Sequence, residues 1–479
     1  MSALWTLSDM AKTMRADVTG APSKEITGIS IDTRTLERGE AFFAIQGDAR
    51  DGHDFVDAAL AAGAGVAVIA RAKRGQFAAD APLLMVDDVL EGLRDLARAA
   101  RARLNGKVIA VTGSVGKTGS KEALRLALGA DGETYASVAS YNNHWGVPLS
   151  LSRCPASVKY AVFEIGMNHA GEITPLTKLV RPHIAIITTV EPVHLEYFGS
   201  VEKIADAKAE IFTGIEPGGT AVLNRDNNQY ARLAAAAKAA GVTRIVTFGE
   251  SGGAEARLVR CSLRSDASCV QAEILGQEVT YKLGAPGKHI VLNSLGVLAA
   301  TALAGADLAL AALALGQLRP PTGRGARLSL KMPGGSALLI DESYNANPAS
   351  MAAALALLGQ AEVGMRGRRI AVLGDMLELG DQGAALHRAL AAPIATANID
   401  LVFCSGPQMY SLWEALPSGR RGGYAVTAAE LESAVLGGLR AGDAVMVKGS
   451  LGSKMGPIVK ALERHYAGQP AGEATPSGI

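Results

Sequence analysis

The chain has 479 residues, 47 Lys and Arg against 46 Asp and Glu, a formal net charge of +1 and a charged fraction of 19%. That balance excludes a protein that coats nucleic acid or carries an acidic tail, and no apolar run approaches the ~18 residues of a membrane span. At roughly 100–200 residues per domain the length suits about three domains.

Residues 1 to about 104 alternate short apolar runs with helix-like segments, and Met1 to Ala16, with Asp9 and Lys12 in a mixed pattern, does not read as a signal peptide. Gly28 to Ile31, Ala41 to Ile45, Val66 to Ile69 and Leu83 to Val86 are predicted strands. Ser30, Asp32, Thr33 and Arg34 follow the first, and the loop Gly47 to His53 follows the second. Such hydroxyls and an Arg at strand ends suit an anionic ligand, although a solvated turn is the better reading of any single one of them.

The centre of the chain is Val108 to Val111, a buried-strand pattern, followed by Thr112-Gly-Ser-Val-Gly-Lys-Thr118 and then Ala123, Leu124, Ala127 and Leu128 at helical spacing. Strand, glycine turn and helix gather backbone N–H groups and a helix N-terminus at one point, which favours phosphate oxygens. Gly113, Ser114, Val115, Gly116 and Gly119 would form the cradle, Lys117 would reach the terminal phosphates and Thr118 would ligate Mg²⁺. Val111 stands where the usual phosphate-loop pattern has its first glycine, so the loop is short.

From there to about Arg319 the pattern is β-α-β, with strands predicted at Tyr160 to Phe163, Ile184 to Thr188, Thr220 to Leu223 and Arg244 to Phe248, hence a largely parallel sheet. Ligands sit beyond the carboxyl ends of such strands. Glu164 and His194 are therefore expected near the phosphate loop, as partners of a hard cation. Lys208 lies on an amphipathic helix, solvated by default and reactive if buried.

Pro320-Pro-Thr-Gly-Arg-Gly325 is the clearest linker. After it, strands at Ala337 to Ile340, Ile370 to Leu373, Leu401 to Phe403 and Ala444 to Val447 each end in a polar loop, and four such loops predict one lined cleft. The tail from Ala467 to Ile479 is expected to be disordered. Cys154, Cys261, Cys269 and Cys404 show no metal or disulfide spacing and read as reduced thiols of a cytosolic enzyme.

These segments resemble the Mur ligase family, the ATP-dependent enzymes that add amino acids to a UDP-linked cell-wall precursor. The resemblance runs from Asp32-Thr-Arg34 to Lys448-Gly-Ser450. It is carried by the phosphate loop, Asn142-Asn143 before Gly146-Val-Pro148, Glu164-Ile-Gly166, Glu191-Pro-Val-His-Leu-Glu196, Phe198-Gly-Ser200, Ser343-Tyr-Asn-Ala-Asn-Pro348 and Gly374-Asp-Met-Leu-Glu-Leu-Gly380. Ser343 to Pro348 is the sharpest, since sister ligases carry an Ala-His motif there. It points to the branch that joins D-Ala-D-Ala to a UDP-MurNAc-tripeptide.

The resemblance implies an α/β chain of three domains. A small mixed UDP-precursor-binding domain spans 1–104, a central phosphate-loop ATPase-like parallel-sheet domain 105–319, and a Rossmann-like domain 320–466, with the tail 467–479 beyond. It implies ATP with Mg²⁺, the latter held by Thr118, Glu164 and His194 and, if carbamylated, Lys208. Lys117, His194 and Lys208 would serve catalysis. Asn293 would touch adenine, Arg324 the ATP phosphates and Asp341 the ribose. Ser30, Thr33 and Arg34 would hold the UDP moiety, and Asn142, Asn143, Asn345 and Asn347 the remaining substrate.

Departures from the family pattern are Gly119 for Thr or Ser, His144-Trp145, Ile290 after His289, Glu342 for the second acid after Asp341, and Leu451 for Arg. The implied reaction passes through an acyl phosphate that an incoming amine displaces, with no general base assignable. A cytoplasmic monomer without nucleic-acid or membrane partners is expected. The rival readings are a sister ligase, a folylpolyglutamate-synthase-like cousin and, in another class, a non-catalytic nucleotide-binding assembly factor.

Overall fold

The computed structural model of the protein describes residues 3–47, 50–138 and 140–466. The expected disordered tail lies outside the described residues, as do Asp48 and Ala49 of the Gly47 to His53 loop. Among the described residues three larger sheets follow one another along the chain, with a two-stranded pair beside the first.

In the first segment, the short strands β1 (Trp5–Thr6) and β3 (Glu25–Ile26) pair by themselves. A five-stranded sheet is built from β2 (Asp17–Thr19), β4 (Ile29–Ser30), β5 (Ala41–Phe43), β6 (Val66–Ala70) and β7 (Leu83–Val86), in the order β2-β7-β6-β5-β4. Only β2 runs antiparallel to its neighbour. The helix Val89–Arg103 leads away from this sheet, capped at its start by Asp88, whose carboxylate accepts from Glu91 N at 2.8 Å.

The second sheet has nine strands: β8 (Lys107–Thr112), β9 (Thr134–Ala136), β10 (Tyr160–Glu164), β11 (Ile184–Ile187), β12 (Thr220–Asn224), β13 (Arg244–Gly249), β14 (Ala256–Leu263), β15 (Ser268–Ile274) and β16 (Gln277–Leu283). Their order is β16-β15-β14-β13-β12-β11-β8-β10-β9, parallel from β9 to β14 and antiparallel over β14, β15 and β16. The parallel strands are apolar on both faces because helices cover both; Val108, Ile109, Ala110 and Val111 are all fully buried. On one face the helices Lys117–Gly129 and Lys288–Leu303 pack together over the sheet.

The antiparallel arm was not among the predicted elements. β15 reads alternately buried and open, so its apolar residues Val270, Ala272 and Ile274 are diluted by polar neighbours facing solvent.

The third sheet contains β17 (Ala326–Met332), β18 (Gly335–Glu342), β19 (Arg369–Gly374), β20 (Leu401–Ser405), β21 (Arg421–Ala425) and β22 (Ala444–Lys448), in the order β17-β18-β22-β19-β20-β21. It is parallel except for the hairpin β17–β18. The helix Pro348–Gly359 after β18 starts with a capping box between Asn347 and Ser350 and a proline in its first turn, which fixes where the preceding loop ends.

Leu124 is fully buried between the helix Lys117–Gly129 and the central sheet, whereas Leu313 is 75% exposed. Leu124→Ala is therefore expected to cost about 2–5 kcal/mol. Leu313→Ala should stay within about 0.5 kcal/mol, as read from urea unfolding midpoints.

Candidate active site

β8 lies between β10 and β11, with Val111 opposite Glu164 and Thr112 opposite Ile187. The glycine turn, the carboxylate at the end of β10 and the segment leaving β11 therefore emerge at one level of the sheet.

The turn is tight because both of its glycines are sterically required. Gly113 sits at φ 148° with the position of a Cβ only 1.9 Å from Thr188 Oγ1, and Gly116 sits at φ 88° with that position 2.3 Å from Asn293 Nδ2. Ser114 stitches the turn to the motif after β11: its hydroxyl donates to Glu191 O at 3.1 Å and accepts from Glu191 N at 2.9 Å. Thr188 donates to Val115 O at 2.6 Å. The helix Lys117–Gly129 begins at Gly116 with no side-chain cap, so its first N–H groups point into the turn. Lys117 Nζ donates to Gly113 O at 2.8 Å. Burial lowers the pKa of its amine; Glu164 opposes that shift and Arg324 adds to it.

Glu164 is 1% exposed and accepts from Thr118 Oγ1 at 2.9 Å and from Asn142 Nδ2 at 2.7 Å. No ion pair involves it among the described residues. Its carboxylate oxygens meet two neutral donors, and the Lys117 amine is close enough to interact with it through space. Hydroxyl, carboxylate and amide oxygen are hard donors, and no cluster of three or more His, Cys, Asp or Glu occurs among the described residues. That set suits Mg²⁺, which takes one or two carboxylates and completes its shell with phosphates and water, and does not suit a soft metal held wholly by protein.

His194 begins the short helix Leu195–Phe198 in the left-handed backbone region, at φ 54°. Its Nδ1 meets the Glu378 carboxylate, from the Gly374 to Gly380 loop after β19.

Lys208 is on the helix Val201–Ala209, capped by Ser200, and is 2% exposed, so the solvated alternative does not hold. Its amine has neither an ion-pair nor a hydrogen-bond partner among the described residues. Burial first, then the nearby Lys117 cation, hold its pKa well below the usual lysine range.

The linker brings the third sheet to this point. The Arg324 guanidinium lies 4.3 Å over the Tyr344 ring, and its Nη2 approaches Ser140 Oγ at 3.5 Å. Asp341 is spent locally: its carboxylate accepts from Gly323 N at 3.0 Å, Ser343 N at 3.1 Å and Ser343 Oγ at 2.6 Å. The acid that faces the cleft is Glu342, paired with buried Lys448 at 3.1 Å. Lys448 also donates to Asn345 O at 2.9 Å.

Together these walls enclose a cleft of about 630 Å³ between the second and third sheets. Ser114, Val115, Gly116, Lys117, Gly119, Asn142, Glu164, His194, Asn293, Arg324, Asn345 and Asn347 all line it.

Other expected residues lie elsewhere. Asn143 accepts from Gly146 N at 2.9 Å and shapes the helix start rather than the cleft wall. Ser30, Thr33 and Arg34 sit at the end of β4, where Ser30 is buried and Arg34 pairs with Asp32 at 2.6 Å. Arg153 Nε donates to Ile29 O at 2.6 Å and ties that strand end to the central segment. Of the four polar loops expected to line one cleft, those after β19 and β20 do not: the Gly374 to Gly380 loop only touches His194 through Glu378, and Gly406 lies against Asp375. Glu378 and Ser140 were not foreseen, whereas Glu342 was noted as a departure beside Asp341 and Lys448 as part of a loop expected to line the cleft. The Gly374 to Gly380 motif pointed at the first, but nothing in its spacing singles out that carboxylate.

Models of three families match the chain: the Mur ligase family catalytic domain over residues 25–101, the Mur ligase middle domain over 111–301 and the Mur ligase glutamate ligase domain over 326–451. The UDP-N-acetylmuramoyl-tripeptide–D-alanyl-D-alanine ligase of Rickettsia prowazekii is 31% identical over 90% of this chain and 94% of its own length. The ligase of the same name from Escherichia coli is 32% identical over 96% and 98%. Among solved structures, MurF from Acinetobacter baumannii superposes with a TM-score of 0.82 at 30% identity, covering 96% of this chain and 99% of that one. MurF from Thermotoga maritima, solved in complex with ADP, gives a TM-score of 0.74 at 24% identity over 92% and 98%, which shows the shared fold.

The glycine turn supplies a direct check. Gly116→Ala has to place a methyl against Asn293 in a backbone region that disfavours it and is expected to abolish nucleotide binding. Gly119→Ala has nothing within 4 Å of the new methyl and should keep nucleotide affinity within a few-fold, both measured by calorimetric titration with ATP.

Proposed function

The chain belongs to the Mur ligase family, and we propose that it uses ATP to join D-alanyl-D-alanine to a UDP-N-acetylmuramoyl tripeptide, forming ADP and phosphate. The observation that carries this reading is the single cleft in which the phosphate loop and Glu164 face Arg324 and the Ser343 to Pro348 segment. A nucleotide-binding assembly factor would need the first wall and not the second.

A carboxylate is a poor electrophile, so the terminal carboxylate of the tripeptide first takes the γ-phosphoryl group. The amine of the dipeptide then attacks the acyl phosphate through a tetrahedral intermediate and displaces phosphate. Two polyanions must meet for the first step. Lys117 and Arg324 supply positive charge from opposite walls, and the uncapped helix start adds N–H donors. Tyr344 under the Arg324 guanidinium restricts where that charge can swing.

Thr118 and Glu164 would hold Mg²⁺, with His194 beside them. Bound there, the ion would neutralise phosphate charge during transfer. Lys208, whose burial disfavours the protonated amine, suits addition of CO₂. The resulting carbamate would place an anion on that buried, unpartnered side chain. The UDP moiety is assigned to the β4 end with Ser30, Thr33 and Arg34, adenine to Asn293, and the dipeptide to the wall with Asn345 and Asn347. With Asp341 engaged by the linker, Glu342 is the better placed acid for the ribose. We take the protein to be a cytoplasmic monomer acting on a dissolved precursor; no helix among the described residues is long and apolar enough to cross a membrane.

Two outcomes check this reading. Phosphate release should require both the UDP-tripeptide and D-alanyl-D-alanine, and Lys117→Ala should lower it on the order of 10²-fold or more while the circular dichroism spectrum is unchanged. Slow release indifferent to both substrates would refute the assignment. Enzyme depleted of CO₂ should lose activity and regain it with bicarbonate. The lowered lysine pKa sets the sign of the pH effect: the amine is neutral where an ordinary lysine is charged, and acidification reprotonates it and removes the carbamate. Activity unaffected by CO₂ depletion would exclude that modification.

A further inference from the structure

We propose that Glu378 is a positioning residue for His194, supplied across the boundary between the second and third sheets, so that the cation side of the cleft is complete only while the two are docked. The inference rests on the reading of Thr118, Glu164 and His194 given above.

An ionised carboxylate can only accept a hydrogen bond, so the contact between Glu378 and His194 Nδ1 puts the ring proton on Nδ1. The Nε2 lone pair is then left free, with no hydrogen-bond partner among the described residues, on a side chain that lines the cleft. A carboxylate behind the imidazole fixes its tautomer and ring orientation and raises the basicity of the other nitrogen.

The contact is built from both sides. His194 and Glu378 occupy the left-handed backbone region, at φ 54° and φ 62°, which is uncommon for a residue other than glycine, although less so for His than for Glu. Their turns are also tied backbone to backbone, with Glu196 N donating to Glu378 O at 3.2 Å. Within its own domain the Glu378 turn is braced by Met376 N donating to His387 Nε2 at 2.9 Å and by Leu377 N donating to Ser450 Oγ at 3.0 Å. The Glu378 side chain is 38% exposed and that of His194 26%, so as an ion pair the contact adds little stability. Its use is orientation. Any rotation that parts the domains withdraws the carboxylate and frees the ring to flip.

The test uses Mn²⁺ as probe, titrated into the full-length protein with saturating ADP and followed by electron paramagnetic resonance of the free ion. Glu378→Ala should weaken Mn²⁺ binding about 10-fold or more. Glu378→Gln, whose amide oxygen still accepts from Nδ1, should recover most of that loss, and His194→Ala with Glu378→Ala should be no weaker than His194→Ala alone. Without metal, ¹⁵N spectra of histidine-labelled protein should show the Nδ1-protonated form for His194 in the wild type and a tautomer mixture in Glu378→Ala. Unchanged affinity in Glu378→Ala, or additive losses in the double variant, would overturn the proposal even with Glu164→Ala defective. Binding unaffected by Glu164→Ala would overturn the reading of the site itself, and this inference with it.

Discussion

The parallel register of β8 between β10 and β11 is the constraint on which the rest depends. Because all three strands run the same way and end level with one another, the groups that follow them cannot avoid being neighbours. Phosphate loop, acid and imidazole come from residues separated by tens of positions in the chain, yet none needs a specific long-range contact to reach the site. The sheet places them, and hydrogen bonds between the loops, such as Ser114 to Glu191, lock the final angles.

The second wall is joined to the first by chemistry of opposite sign. Arg324 crosses toward Ser140, and Glu378 crosses toward His194, so one cation and one anion leave the third segment for the second. The two contacts lie on different loops, one before β17 and one after β19. Together they fix an orientation that either alone would leave free to pivot.

Much of this was legible from the sequence, and the reason is burial. Parallel strands covered on both faces are continuous apolar runs, so β8, β10, β11, β12, β13, β19 and β22 could be read within a residue or two, and the polar loops at their ends followed. What was hidden is what alternates or turns back. The arm β14 to β16 and the hairpin strand β17 mix charged and apolar residues and resemble solvated loops until their partners are known. In the site, Lys117, Glu164 and His194 were readable from motif and position. Lys208 could not be recognised as buried because its neighbours Ala205, Ala207 and Ala209 are small and carry little pattern. Asp341 shows the converse: its type and place matched a ribose contact, and only coordinates reveal that three local donors occupy it.

That last feature has a mechanical consequence. By gripping Gly323 N with the same carboxylate that holds the Ser343 turn, Asp341 welds the linker to the tip of β18. Arg324 lies between that grip and β17, so it is held as a rigid extension of the third sheet. Linker, arginine and strand tip are thereby one piece, and the guanidinium keeps its place relative to the third sheet, like a tooth fixed to a lever.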